Sequence, residues 1–175
     1  NGDRRFYIQG YLNYERSFGL HNVSGMLLYN QDDYNTNVNS SLIASLPKRK
    51  MGVAARLSYD YDHRYMLEVN AGYNGSESFA KGHRWGLFPS VALAWKLNEE
   101  SFLKNVNAIS DLKLRLGYGV TGQQNLGNGD YPYMARYMYS KAGANYYFGD
   151  TEYSLIAPQP YDQNLKWEET TTWNV

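Results

Sequence analysis

Three histidines, one run of acids and amides, and one glycine-spaced hexapeptide are the places where this sequence could do chemistry. His21, His63 and His83 could ligate a metal or move a proton, but no two have the i, i+4 spacing that sets a metal pair on one helix face. Each sits in or beside a turn or loop of a different hairpin, where a solvated histidine needs no function. Asp32-Asp33 with Asn35 and Asn37 is rich in oxygen ligands, yet the glycine and the closing glutamate of an EF-hand are missing. Gly117-Tyr118-Gly119-Val120-Thr121-Gly122 has the spacing of a dinucleotide loop, but it ends a strand pattern and opens no helix. No nucleophile–base arrangement is found. The expectation is a chain that is not an enzyme and carries no cofactor or metal.

Binding is better served. Tyr131, Tyr133, Tyr137, Tyr139, Tyr146, Tyr147 and Tyr153 crowd the stretch between Gly122 and Asn164. Aromatic faces suit sugar rings, and phenolic tips tolerate water. The competing reading is that these rings pack a long loop against itself or cap an opening below it.

The elements that must position these residues are strands. Aromatic residues make up 16% of the 175-residue chain and tyrosine alone supplies 18, although the mean hydropathy is a polar -0.63. That pairing suits strands with one apolar and one wet face. Seventeen basic residues balance 17 acidic ones, so nothing favours nucleic acid, which asks for a basic surplus. Cysteine is absent, which removes disulfides and thiolate metal sites. No apolar run approaches the roughly 20 residues of a membrane helix. A membrane barrel, with alternating strands of about 10 residues, stays open. The chain starts at Asn1 without Met and stops at Val175 inside an apparent strand, so it reads as an internal segment of something longer.

Alternation predicts strands at about 5–17, 21–31, 51–60, 65–74, 85–97 and 111–121, and a last one from about Leu165. The cleanest sets Met51, Val53, Ala55, Leu57 and Tyr59 against Gly52, Ala54, Arg56, Ser58 and Asp60. In strand two, Met26 and Leu28 blur the face made by Val23, Leu27 and Tyr29. Pro89 has no amide hydrogen, which predicts a bulge or a broken ladder position. Asn98 is expected to N-cap a short helix to about Val106, with Glu99 and Glu100 in its first turn. The run Lys48-Arg49-Lys50 reads as the solvated end of a long Asn- and Ser-rich loop.

The connections alternate short and long. The turns at Phe18–His21 and Tyr61–Arg64 are short; Asp32–Lys50, Gly75–Arg84 and Gly122–Asn164 are longer and fall on one side. Up-and-down outer-membrane barrels sort their loops this way, with long loops outside and short turns in the periplasm. Aromatics near strand ends (Tyr59, Tyr65, Trp85, Trp95, Trp167 and Trp173) suit interfacial girdles. The predicted fold is all-β: about seven strands of an antiparallel up-and-down transmembrane β-barrel, with one short periplasmic helix.

Several motifs carry a resemblance. Arg64-Tyr65-Met66-Leu67, Asn74-Gly75-Ser76, and Arg84-Trp85-Gly86-Leu87-Phe88-Pro89-Ser90-Val91-Ala92-Leu93-Ala94-Trp95 come first. Then follow Ile109-Ser110-Asp111-Leu112-Lys113-Leu114-Arg115, Tyr118-Gly119-Val120-Thr121-Gly122-Gln123 and Asn164-Leu165-Lys166-Trp167-Glu168. Their order and spacing resemble the later part of the barrel in SusC/RagA-like TonB-dependent outer-membrane transporters. The resemblance implies a plugged barrel of roughly 22 strands in the intact protein. It further implies energy-driven import of oligosaccharides or peptides across the outer membrane of a Gram-negative bacterium, with a SusD-like surface lipoprotein as lid. Residues 1–175 would then be a partial barrel domain without plug or TonB box, reaching the TonB complex only through the missing N-terminal part. Two other readings stay open: a passive porin-like or structural barrel, and a soluble β-sheet binding module.

Overall fold

The structure, a computed structural model, describes residues 2–37, 43, 45–103, 111–124, 131–139, 145–154, 156–159 and 161–175, with the backbone alone for the short strands between 136 and 159. Six long strands follow one another: β1 (Asp3–Phe18), β2 (His21–Thr36), β3 (Lys48–Tyr61), β4 (Tyr65–Ser76), β5 (Trp85–Lys96) and β6 (Lys113–Gln123). Four short strands come next: β7 (Arg136–Tyr139), β8 (Asn145–Phe148), β9 (Thr151–Ser154) and β10 (Ile156–Gln159). The last is β11 (Glu168–Asn174). The long strands and β11 form one antiparallel seven-stranded sheet in the order β1-β2-β3-β4-β5-β6-β11, while β7 pairs with β10 and β8 with β9.

Register fixes which side chains share a face. Ile8, Gln31, Met51, Gly75 and Trp85 form one cross-strand row, and Phe18, His21, Tyr61, Tyr65 and Trp95 form another at the opposite end. Between the rows this face carries Leu12, Leu27, Val53, Leu57, Leu67, Val69, Val91 and Leu93 and a single charge, Arg16. Its guanidinium lies 4.6 Å from the centroid of the Phe18 ring, folded towards the rim as long cations at an interface do. The other face carries Glu15, Ser58, Glu68, Asn70, Ser90 and Arg115. The apolar face is open: Leu12 is 69% and Leu57 54% exposed. Such a surface suits contact with hydrocarbon and is a liability in water. Among the described residues only Phe79 and Tyr131 are buried hydrophobics, so the sheet itself encloses no core.

Several local expectations change. β2 runs on to Thr36 and β3 begins at Lys48, so Lys48-Arg49-Lys50 belongs to a strand rather than to a loop end. Arg49 Nε donates to Asp33 Oδ2 across the ladder at 3.0 Å, and Asp32 takes a bidentate contact from Arg5 at 2.9 and 2.8 Å. The expected helix is replaced by a 3-10 turn at Leu97–Glu99 and turns to Leu103; residues 104–110 lie outside the described residues. Asn98 sits inside that turn instead of capping it, and its Oδ1 accepts the Leu112 amide at 3.4 Å, which brings the chain into β6.

At Pro89 the β4–β5 register is continuous, with Ala71 opposite Pro89 and no bulge. The ladder to β6 instead ends at the neighbouring pair Ser90–Gly119. Proline has no hydrogen to offer there. The Phe88 ring occupies the space where β5 and β6 part, beside Gly86 and Gly122, where any added Cβ would meet it. Trp167 also departs from expectation. It precedes β11 and packs over Phe79 and Phe88, so it belongs to no outward girdle. Trp173 lies tilted against Tyr118 at 4.5 Å, one residue from the end of β11.

Candidate functional site

The long-loop end of the sheet holds the predicted tyrosines and a compact set of packed side chains. The 77–84 connection folds back on its own strands: the Ser76 amide donates to the Arg84 carbonyl at 3.0 Å and the Glu77 amide to the Arg49 carbonyl at 3.0 Å. That turn carries Phe79 inward, where it is only 1% exposed. Trp167 closes over it at 5.2 Å between ring centroids and meets Phe88 edge-on at 5.3 Å. The indole N–H donates to the Arg84 carbonyl at 3.0 Å, and Arg84 Nε donates to the Phe79 carbonyl at 3.3 Å. Side chains far apart in the chain are thereby tied at one rim.

Tyr131 ties a second segment to the same rim. Its ring is buried and its hydroxyl donates to the Pro47 carbonyl, at the entrance to β3. Its φ of 52° is unusual for a residue with a side chain and is held by the packing around it. Tyr133 meets Tyr131 edge-on at 6.2 Å and stays half-buried. Tyr137 and Tyr139 lie on β7, paired with β10; Tyr146 and Tyr147 lie on β8, opposite Tyr153 and Glu152 of β9. Their side chains are outside the described residues. The stretch read as one aperiodic loop therefore contains two small two-stranded units.

The wet face of the sheet below this rim is a polar lining. Arg56 Nε donates to Asn70 Oδ1 at 2.8 Å, and Asn70 Nδ2 donates to Glu68 Oε1 at 2.8 Å. Lys113 and Arg115 face the same way with no ion-pair partner among the described residues. At the opposite end, the Tyr65 hydroxyl and the Trp95 indole N–H donate to Glu100 Oε1 at 2.5 and 3.0 Å. The Tyr65 hydrogen bond, then that from Trp95, holds the Glu100 carboxyl below its usual range.

The other candidates take structural roles. His21 Nδ1 lies 2.7 Å from the Tyr59 hydroxyl in the short-turn aromatic row, and His63 closes a turn on Asp60. Asp32 and Asp33 face opposite sides of β2 and meet different arginines. The glycine-spaced hexapeptide is the interior of β6. Periodicity could not reveal the Phe79–Trp167 contact, because neither residue lies in a strand; the nearest signal is the tryptophan at the start of the last alternating run.

No family model matches the chain. The TonB-dependent receptor SusC of Bacteroides thetaiotaomicron is 43% identical to it over 156 residues, which are 89% of this chain and 16% of that protein. The chain belongs to the SusC/RagA-like TonB-dependent receptors. TonB-dependent receptor P39 of Formosa agariphila is 32% identical over 146 residues, 83% of this chain and 13% of that relative. Among solved structures, the RagAB peptide importer in its closed-closed state matches with a TM-score of 0.74 at 19% identity, covering 98% of this chain and 21% of that one. The open-open state of the same importer gives 0.73 at 19% identity over the same shares. The chain thus spans less than a fifth of the length of the curated relatives just named. The SusC-like sheet is a stretch of barrel wall, seven adjacent strands with an apolar outer and a polar inner face.

Proposed function

We propose that the chain is part of the barrel of an outer-membrane transporter that imports oligosaccharides or peptides, driven through TonB and closed on the outside by a SusD-like lipoprotein. One observation carries this reading: an apolar face bounded at both ends by aromatic rings backs onto a face that carries Arg56, Glu68, Asn70, Ser90 and Arg115. That is what a wall between hydrocarbon and a wet lumen requires. Residues 1–175 act as one wall segment, and the energised step belongs to parts of the protein beyond it. The chain is a conduit and needs no catalytic group.

The loop end is the outer side. Tyr133, Tyr137, Tyr139, Tyr146 and Tyr147 offer rings to a glycan or peptide, or to the lid above it. Tyr131 contributes by anchoring: its burial and its bond to Pro47 support a role in positioning the others. Growth on one oligosaccharide or peptide source, in cells whose sole route for it is the intact receptor, tests the proposal. Uptake should cease when TonB is removed; uptake that persists would favour the passive, porin-like reading.

A further inference from the structure

Outward charges gather just above the apolar band, at the long-loop end. Arg49 and Asp33 lie one outward position beyond the row of Gln31, Met51, Gly75 and Trp85. Arg84 and Glu77 reach the same place from the 77–84 turn: Arg49 Nη1 is 3.9 Å and Arg84 Nη1 3.7 Å from Glu77 Oε1. Beneath them is a notch of about 220 Å³, with Met51 and Trp85 among its walls. Its floor is Gly75, where a Cβ would stand only 2.9 Å from the Trp85 ring.

We propose that this notch binds the phosphate headgroup of an outer-leaflet lipid. The proposal rests on the membrane-barrel reading and on the loop end being outermost. Its lower half is apolar and faces hydrocarbon; its upper half presents two guanidiniums at headgroup level. Each guanidinium is already oriented through its Nε, Arg49 by Asp33 at 3.0 Å and Arg84 by the Phe79 carbonyl at 3.3 Å. The terminal amino groups stand too far from Glu77 for hydrogen bonds. They retain donors for a phosphate, whose oxygens an arginine can take two at a time. Asp33 and Glu77 balance the two guanidiniums in formal charge, so the site selects by donor geometry rather than by net attraction.

The test uses the intact receptor, reconstituted in phosphatidylcholine bicelles with or without lipid A and analysed by native mass spectrometry. The wild type should retain lipid A, and Arg49→Gln with Arg84→Gln should weaken retention by about fivefold per arginine removed. The double Lys variant, which keeps the charge but loses the fork, should fall between. Lys81→Gln, at the tip of the same turn, should change nothing. Equal retention by the wild type and the double Gln variant would overturn the site, as would an equal loss from Lys81→Gln. Release of the lipid by inorganic phosphate at low concentration would assign the notch to free phosphate instead. A wild type that fails to enter bicelles at all would contradict the barrel reading, an outcome distinguishable from loss of the lipid alone.

Discussion

Trp85 and Trp95 stand on the same outward face of β5, ten positions apart, each stacked on a tyrosine of β4: Trp85 on Tyr73 at 4.8 Å and Trp95 on Tyr65 at 6.2 Å. At about 3.4 Å per residue this separation is about 34 Å along the strand. A strand tilt of about 40° reduces it to a height of about 26 Å, the thickness of the apolar band of an outer-membrane barrel. The two ring pairs therefore mark the two membrane interfaces.

This scale predicts how charge is tolerated with depth. Val69 pairs with Leu57 and Val91 near the middle of the band, and Leu67 lies one outward position from the Tyr65 ring. Val69→Arg should cost about 2–4 kcal/mol in refolding of the intact receptor into liposomes, and Leu67→Arg less. Ala92→Arg, on the wet face opposite Glu68, should cost far less than either. Equal costs at the three positions would remove the distinction between faces.

The rim core should be the fixed part of the loop end. Trp167→Ala removes the Phe79 and Phe88 contacts and the 3.0 Å bond to the Arg84 carbonyl; because Trp167 is half-buried, the loss should fall below the roughly 3–5 kcal/mol of a fully buried aromatic. The band below does not depend on it. Limited proteolysis should therefore cut the 77–84 turn faster in this variant while the barrel still assembles; unchanged cleavage would show that Trp167 does not hold that turn.

Tyrosines of the loop should divide by role. Tyr131→Phe loses the hydroxyl bond to Pro47, about 0.5–1.5 kcal/mol, keeps the buried ring, and should leave uptake near normal. Tyr133→Ala with Tyr137→Ala should weaken uptake or lid closure with outer-membrane levels unchanged. Full uptake by that double variant would withdraw these rings from binding and leave them as packing.

Acid should act on the short-turn rim through Glu100. Its folded pKa is depressed by Tyr65 and Trp95, so its contribution is fully present above the ordinary glutamate value and is lost as pH falls through the lowered one. Glu100→Gln should flatten the acid side of the receptor's thermal stability profile in detergent. An acid limb of unchanged steepness would show that the carboxylate is not what titrates there.

Alternation exposed β3 and β4 to sequence reading because each separates hydrocarbon from water: Val53, Leu57 and Val69 on one side, Arg56, Glu68 and Asn70 on the other. The same logic fails where a strand leaves the band. Residues 32–36 of β2 are wet on both faces, so Asp32-Asp33-Tyr34-Asn35 reads as loop although its backbone stays in the ladder. Trp167 departs from its pattern for a related reason. Its alternating neighbours suggest a strand, but the 77–84 turn offers Phe79 and a carbonyl acceptor, and those tertiary contacts decide its place. Asn98, expected as a helix cap, accepts the Leu112 amide at 3.4 Å, a contact 14 residues along the chain that local capping patterns do not show. The tyrosine cluster was visible by composition alone, which says nothing about which rings are buried.

One face of the β3–β4–β5 wall is expected to meet hydrocarbon and the other a wet lumen. Nitroxide labels introduced singly at Val53, Val69 and Val91, and at Arg56, Glu68 and Ser90, in the intact receptor reconstituted in lipid test it most directly. Collision with oxygen should dominate at the first three positions and collision with a water-soluble nickel chelate at the other three. The reverse pattern, or chelate access at all six, would contradict it.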